Sequence, residues 1–279
     1  MTSNNDRIQE VKKRRQELTQ IIAEQEAALE SQRDNEPVCK FCGSSRIKAE
    51  RGPVYYRPCG CKEAQAAAEA FRGKWNELHT LRYELESCEI KIKSYAYRAV
   101  RLYENSGLGR RFRDRTFDTF QPTGYEKQFQ KAYDFATGFE TNQGNGLLFV
   151  GTVGTGKTHL AASIANYIIK DLGIPVIVLN VTELFEKLRN FSETNNTLKE
   201  LKKIPLLILD DIGKEKVTDW NREKLYEIIN ARYEDYLPVV ITSNDTPANM
   251  EKNLGSATYS RLCEMCELIT MTGRDWRKQ

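Results

Sequence analysis

The sequence predicts an α/β protein, a parallel sheet with helices on both faces, preceded by a helical region that carries a small four-cysteine module. Three observations carry this prediction. Between residues 147 and 271, five short apolar runs alternate with helical patterns, as a parallel sheet with crossover helices requires. Before residue 106 the apolar residues recur at spacings of three and four, the helical period. Four cysteines crowd between residues 39 and 61, inside that helical region.

Composition narrows the function classes. A chain of 279 residues has room for one large domain and a smaller one. With 40% hydrophobic and 29% charged residues, part of it is extended and solvated. A net charge of +3 excludes nucleic-acid binding through bulk charge, so any such contact comes from local clusters. No apolar run approaches a membrane span, and the N-terminus lacks the apolar stretch of a signal peptide. A cytoplasmic protein without a membrane partner is expected. In a reducing compartment a cysteine cluster reads as metal binding rather than disulfides.

Residues 1–36 form the first segment. Ile8, Val11, Leu18, Ile22 and Leu29 follow a three–four seam broken by Arg15 and Gln25. This is either a coiled-coil-like helix or a polar helix with no partner. Residues 37–61 hold Cys39, Cys42, Cys59 and Cys61 in the spacing C-x2-C-x16-C-x-C. Four thiolates satisfy tetrahedral Zn2+, and none of the four positions is left for water, so the site is expected to be structural. Ile47 and Val54–Tyr56 are read as a small hairpin between the pairs. Residues 62–106 form one long helix of roughly 60–65 Å. Its seam runs through Phe71, Trp75, Leu78, Leu85, Cys88, Ile92, Tyr95, Ala99 and Leu102. Such a seam packs either on the first helix, with the zinc turn at the corner, or between subunits. Cys88 is assigned to the seam, not to metal.

Residues 107–279 form the sheet domain. Gly107 and Gly109 stop the long helix. The run Arg110–Arg115 is either a contact for phosphate or nucleic acid or a solvated linker, while Phe117 and Phe120 pack on the domain. A helix from Glu126 to Phe139 leads to the strand Leu147–Val150. Next comes Gly151-Thr-Val-Gly-Thr-Gly-Lys157-Thr158, which fits the phosphate-binding pattern G-x-x-x-x-G-K-[ST] between a strand and a helix. The glycines bring backbone N–H groups to phosphate oxygens, and the helix start adds unpaired N–H groups and a positive dipole end. Gly151, Thr152, Val153, Gly154, Thr155, Gly156, Lys157, Thr158 and the adjoining His159 are therefore expected to hold ATP. Lys157 reaches the β- and γ-phosphates, and the Thr158 hydroxyl binds Mg2+.

Four further strands are predicted at Pro175–Leu179, Pro205–Leu209, Pro238–Ile241 and Leu268–Met271. An apolar strand ending in Asp210-Asp211, downstream of a phosphate loop, is the Walker B pattern. Asp210 then holds Mg2+ through its water shell, and Asp211 orients or deprotonates the attacking water. Asn244, at the tip of the fourth strand, positions that water, with Ser243 the nearest alternative. Cys263 and Cys266 are assigned to core packing.

These residues resemble a family. Gly154-Thr-Gly-Lys-Thr-His-Leu160, Leu207-Ile-Leu-Asp-Asp-Ile-Gly213, Ile241-Thr-Ser-Asn244 and Ser260-Arg-Leu262 are similar to the AAA+ ATPases of bacterial helicase loaders, the DnaC/DnaI type. Insertion-sequence helper ATPases of the IstB type are near relatives of those loaders. The resemblance covers about residues 107–279, and the cysteine pattern also resembles the N-terminal region of many DnaC-like loaders. It implies an ASCE sheet in the order 5-1-4-3-2 and ATP with Mg2+. It also implies a homo-oligomer with ATP sites between neighbours and a hexameric replicative helicase as partner. It makes Arg261 an arginine finger supplied in trans, and Arg277 a second sensor arginine with no helical lid after it.

The resemblance also places single-stranded DNA contacts on the helix pair before the Asp-Asp strand. There Lys187, Arg189, Lys199, Lys202 and Lys203, with Phe185 and Phe191, form either a DNA groove or a solvated face balanced by acidic neighbours. Three departures are visible. Asp211 stands where glutamate is common, Ala257 stands where loaders often carry arginine, and only Lys278-Gln279 follow Arg277. They leave nucleotide binding intact and imply slow hydrolysis. Three functions are expected in turn: a helicase loader with ATP as its switch, an IstB-like transposition helper, and a zinc-containing adaptor with a non-hydrolysing nucleotide site.

Overall fold

A computed structural model describes residues 4–32, 39–44, 60–189, 194–213, 218–273 and 275. They pack as two units, Asp6–Ala96 and one holding Tyr97–Gln279, divided inside the second long helix. Among the described residues no helix is long and apolar enough to cross a membrane.

The first unit is an antiparallel pair, α1 (Asn4–Gln32) and the part of α2 (Lys62–Asn105) up to Ala96. Leu18 is fully buried, and Ile22 and Leu29 share an apolar cluster with Phe71 and Leu78, bordered by Trp75, Leu81 and Leu85. Arg14 donates to Glu84 at 2.8 Å and Arg82 pairs with Glu26, which fixes the antiparallel sense. Those ion pairs are exposed and contribute little; burial of the leucine seam holds the hairpin. The long seam thus finds its partner in α1, the first of the two arrangements expected for it. Cys88 lies buried in that seam. The hairpin expected at Ile47 and Val54–Tyr56 lies outside the described residues.

The second unit is a five-stranded parallel sheet in the order β2-β3-β4-β1-β5. Its strands are β1 (Gly146–Val150), β2 (Val176–Asn180), β3 (Leu206–Ile212), β4 (Val239–Ser243) and β5 (Cys266–Thr270). Read from the other edge, this is the 5-1-4-3-2 order that the family resemblance implies. The strands are apolar on both sides because helices cover both faces. Leu148 and Val150 of β1 face one core with Leu207, Leu209 and Ile241, while Leu147 and Phe149 face the other with Ile208 and Val240. The first core is covered by α6 (Val181–Arg189), α7 (Thr194–Lys203), α8 (Asp219–Glu234), α9 (Pro247–Leu254) and α10 (Ser256–Met265). The second is covered by α4 (Glu126–Thr137) and α5 (Lys157–Tyr167). Phe117 and Phe120 pack into that second core, as expected of them.

Three readings need correction. Phe185 is not a surface ring for stacking bases: it is buried in the first core beside Trp220. An amphipathic α6 turns it inward with Leu184 and Leu188. Lys202 is not a free cation either, since it pairs with Glu227 of α8 at 2.6 Å. Cys266 is buried but Cys263 is exposed, so only one of the two is core. Phe191 lies outside the described residues. The predicted strands are offset by one or two residues, except that β3 runs through Asp210 and Asp211 to Ile212.

A feature with no sequence signal joins these layers. Arg232 of α8 is fully buried, and its guanidinium donates to four carbonyls: Leu201, Ile204, Pro205 and Pro238. It closes the end of α7 and pins the starts of β3 and β4. Burial lowers its pKa to about 9, yet four acceptors suit only the charged form. Replacing Arg232 by Met removes those donors and leaves the carbonyls dry. The expected cost is about 3 kcal/mol, measured as a lower urea midpoint at unchanged slope.

Candidate nucleotide-binding site

The loop after β1 is shaped from both sides. Gly151 has φ 138° and Gly154 φ 79°, backbone that favours glycine. A Cβ on Gly151 would stand 2.0 Å from the Met271 carbonyl, and one on Gly154 1.8 Å from Asp275 Oδ1. The chain leaving β5 therefore lies directly on the loop. It is tied there by Gly273 N donating to Thr152 Oγ1 at 3.1 Å and the Tyr125 hydroxyl donating to Thr272 O at 3.2 Å. Thr155 is buried and donates to Thr152 O at 2.9 Å, closing the loop on itself. Lys157 is nearly buried, and its Nζ donates to Gly151 O at 2.9 Å and Thr152 O at 2.7 Å.

The acidic end of β3 faces this loop. Asp210 Oδ1 accepts from Thr158 Oγ1 at 2.9 Å and from Thr242 Oγ1 at 2.6 Å. Thr242 Oγ1 in turn accepts the Asp211 N–H at 2.8 Å. Between Leu209 and Ile212 the β3–β4 register slips in a bulge, and Asp211 sits at φ 63°. A bulge re-aims the side chain it carries. Here it brings Asp211 Oδ1 to Asn244 Nδ2, which donates at 2.6 Å. Ser243, the alternative to Asn244, is fully buried: its hydroxyl donates to Ile212 O and accepts from Asp245 N. That is a structural role.

Together these groups border a cleft of about 610 Å3, a size suited to a small ligand. Val153, Gly154, Gly156, Lys157, Thr158, His159, Asp210, Asp211 and Asn244 all line it. His159 Nε2 lies 3.1 Å from Thr116 O and 3.2 Å from Thr119 Oγ1. Burial pulls the imidazole pKa below its ordinary value, so the neutral ring ties down the entering chain. Thr242 and, from the connecting segment, Arg111, Phe112 and Arg115 also line the cleft. Sequence reasoning gave Thr242 no role; only the strand register reveals that it orients both aspartates. Arg261 is not among the lining residues. It lies over the rings of Tyr226 and Tyr233, 4.9 and 5.7 Å from their centroids, and donates to Ala257 O. Arg277 is outside the described residues.

In the N-terminal unit, Cys39, Cys42 and Cys61 bring their sulfurs within 4.8 Å of one another. Cys39 and Cys61 are 3.9 Å apart, and the turn is closed by Gly43 N donating to Cys39 O at 2.8 Å. Sulfurs at about 2.3 Å from one tetrahedral zinc would lie roughly 3.8 Å from each other. The donor set and spacing therefore fit Zn2+. Cys59, the fourth ligand expected, lies outside the described residues.

The family model described as IstB-like ATP binding protein matches residues 112–279, more than half of the chain. The chain belongs to the IstB-like ATP-binding family. Among relatives of this IstB-like protein is the replicative helicase loader DnaI of Bacillus subtilis (strain 168), 35% identical over 50% of this chain and 45% of the relative. The phage-like element PBSX protein XkdC of the same strain is 28% identical over 60% of this chain and 67% of the relative. The replicative helicase loader DnaC of Escherichia coli (strain K12) is 23% identical over 64% and 75%. The match thus spans about half to three quarters of these relatives' length. A crystal structure of the DnaC helicase loader superposes with a TM-score of 0.55 at 30% identity, covering 58% of this chain and 99% of that one. For a crystal structure of DnaI the TM-score is 0.54 at 26% identity, with coverage of 60% and 93%.

Two outcomes are expected. Thr242→Val should weaken nucleotide binding about tenfold in Mg2+ but not in excess EDTA, measured by titration calorimetry, because it unfastens Asp210. Metal analysis of the purified protein should find about one zinc per chain, falling sharply in Cys61→Ser.

Proposed function

We propose that this protein is an ATP-driven loader that docks a hexameric replicative helicase and delivers it to single-stranded DNA, with ATP as the switch. The observation that carries the reading is the cluster Thr158–Asp210–Thr242 beside Asp211–Asn244, gathered at a phosphate-binding loop. The loaders among its relatives support the rest.

The roles follow from the geometry. Backbone N–H groups of Gly151–Thr158 and the Lys157 ammonium hold the β- and γ-phosphates of ATP. Lys157 exchanges its two carbonyl partners for phosphate oxygens when it does so. Thr158 and Asp210 are the residues that hold Mg2+, which neutralises phosphate charge when bound. Asp211, steered by Asn244, orients the water whose oxygen attacks the γ-phosphorus as ADP departs. Arg261 is supplied to a neighbouring subunit's site, where a cation meets the charge that develops in the transition state. On α10 it lies over two tyrosines of α8, Tyr226 and Tyr233, outside the lining of its own cleft. Each site is therefore half-built until a second subunit docks. The zinc turn with Cys39, Cys42, Cys59 and Cys61 braces the α1–α2 hairpin as the helicase-docking element. Lys187, Lys199 and Lys203, exposed on α6 and α7, are the cations left for single-stranded DNA. The family description favours one other reading, an IstB-like transposition helper acting on duplex DNA.

Steady-state hydrolysis separates these from a passive adaptor. Wild type should turn over ATP slowly, and faster with single-stranded than with duplex DNA. Lys157→Ala should lose at least a hundredfold of that rate, and the helicase hexamer of the host should co-elute with the protein. Turnover unchanged in Lys157→Ala would leave the nucleotide site without a catalytic role, and stimulation by duplex alone would favour the transposition helper.

A further inference from the structure

The stretch between the long helix and the sheet is built more firmly than a linker. It starts at Ser106, which is fully buried; its carbonyl accepts from Val178 N of β2 at 2.7 Å. Gly107 follows at φ 72°, where a Cβ would stand 2.5 Å from Val178 O, so the chain is pressed on the edge strand. Leu108 is buried in the second core. Then comes the single turn α3 (Arg110–Arg113). Asn166 of α5 donates its side-chain amide to Phe112 O at 2.9 Å and to Arg115 O at 2.8 Å. The helix that starts at the phosphate loop therefore holds this strap from below.

The arginines of the strap divide by direction. Arg113 turns back to α2: it donates to Tyr103 O and Leu108 O, each at 3.3 Å, and lies over the Tyr103 ring. Arg111 and Arg115 line the nucleotide cleft instead, on either side of Phe112. Among the described residues neither guanidinium donates a hydrogen bond or joins an ion pair. Two guanidinium groups with no acceptor among the described residues line a cleft whose loop has the phosphate-binding pattern, and an anion there would satisfy them. Arginine's planar fork suits phosphate oxygens better than any other side chain.

We infer that Arg111 and Arg115 bind the phosphates of the nucleotide in the cleft, so that a bound nucleotide locks the strap and, through Arg113, the C-terminal end of α2. This inference rests on the nucleotide site proposed above and adds a sensor to it. The link is short: Arg111 and Arg113 lie two residues apart on one turn, one on phosphate, the other on the last turns of α2. A phosphate lost from the cleft loosens the same turn that caps the long helix.

Titration of the full-length protein with ATP in Mg2+ tests this. Arg111→Ala and Arg115→Ala should each weaken ATP binding about tenfold, and the double variant more, with melting temperatures unchanged. Arg113→Ala should bind ATP within about twofold of wild type. AMP, which lacks the β- and γ-phosphates, should bind with no difference between wild type and the double variant. Hydrogen exchange supplies the second readout: ATP should slow exchange across residues 98–112 in wild type but not in the double variant or in Arg113→Ala. Wild-type affinity in the double variant, with Lys157→Ala defective, would overturn the inference and leave the nucleotide site standing. No binding by wild type would overturn both. Weakened binding with unchanged exchange protection would overturn the coupling to α2.

Discussion

The carboxylate of Asp210 is the point on which the site depends. One oxygen takes hydroxyl hydrogens from Thr158, at the start of the loop helix, and from Thr242, on the neighbouring strand. Three separate elements are thereby registered against one another by a single acceptor. A charged group so fixed costs desolvation, which the two hydroxyl donors and the electrostatics of the site offset. The sheet supplies what makes this possible. Parallel strands end on one edge, so β1, β3 and β4 deliver their C-terminal residues to the same place. The bulge in β3 then turns the next residue, Asp211, from the sheet toward Asn244.

Much of this was legible in the residues, because the features involved are local. A phosphate loop is a contiguous run whose glycines and lysine act through neighbours in sequence, and its strand and helix flanks are adjacent. Five apolar runs alternating with helices specify a doubly covered parallel sheet for the same reason. The α1–α2 hairpin was readable as one of two solutions to an unsatisfied seam, and the cysteine spacing marked out Cys39, Cys42 and Cys61, whose sulfurs gather within 4.8 Å of one another. What stayed hidden depends on register across the sheet or on packing between distant elements. Thr242 matters because of which residue of β3 it faces. Arg232 looks like any surface arginine until four carbonyls, one from the last turn of α7 and three from the loops before β3 and β4, close around it. Phe185 carried no mark that separated a buried ring from a stacking one, except the amphipathic pattern of its own helix. The arginine run was visible, but only folding showed which of its members face the cleft.

The two units serve different physical ends. The hairpin is a thin helical pair with a narrow leucine seam, the kind of element that gains from a metal at its corner. The sheet unit carries two large apolar cores, one on each face, and can tolerate local strain at its edge. Asp211 at positive φ is where that strain lies. The strap between the long helix and the sheet belongs to the same edge, since it is clamped to α5, the helix that begins at Lys157.

In the function proposed, Lys157, Thr158, Asp210 and Asp211 hold the nucleoside triphosphate and aim a water, while a neighbouring subunit's Arg261 meets the charge that develops in the transition state. Arg261 sits on α10 between two tyrosines, outside the cleft of its own chain. The central claim is that the site is shared between subunits, and mixing two crippled variants tests it most directly. Arg261→Ala and Lys157→Ala are each purified, then combined in varying ratios while ATP turnover is followed. A shared site predicts turnover well above either variant alone, greatest near equal amounts, because a Lys157→Ala subunit lends its intact Arg261 to a neighbour's intact loop. Turnover that stays on the straight line between the two pure variants at every ratio would contradict the account.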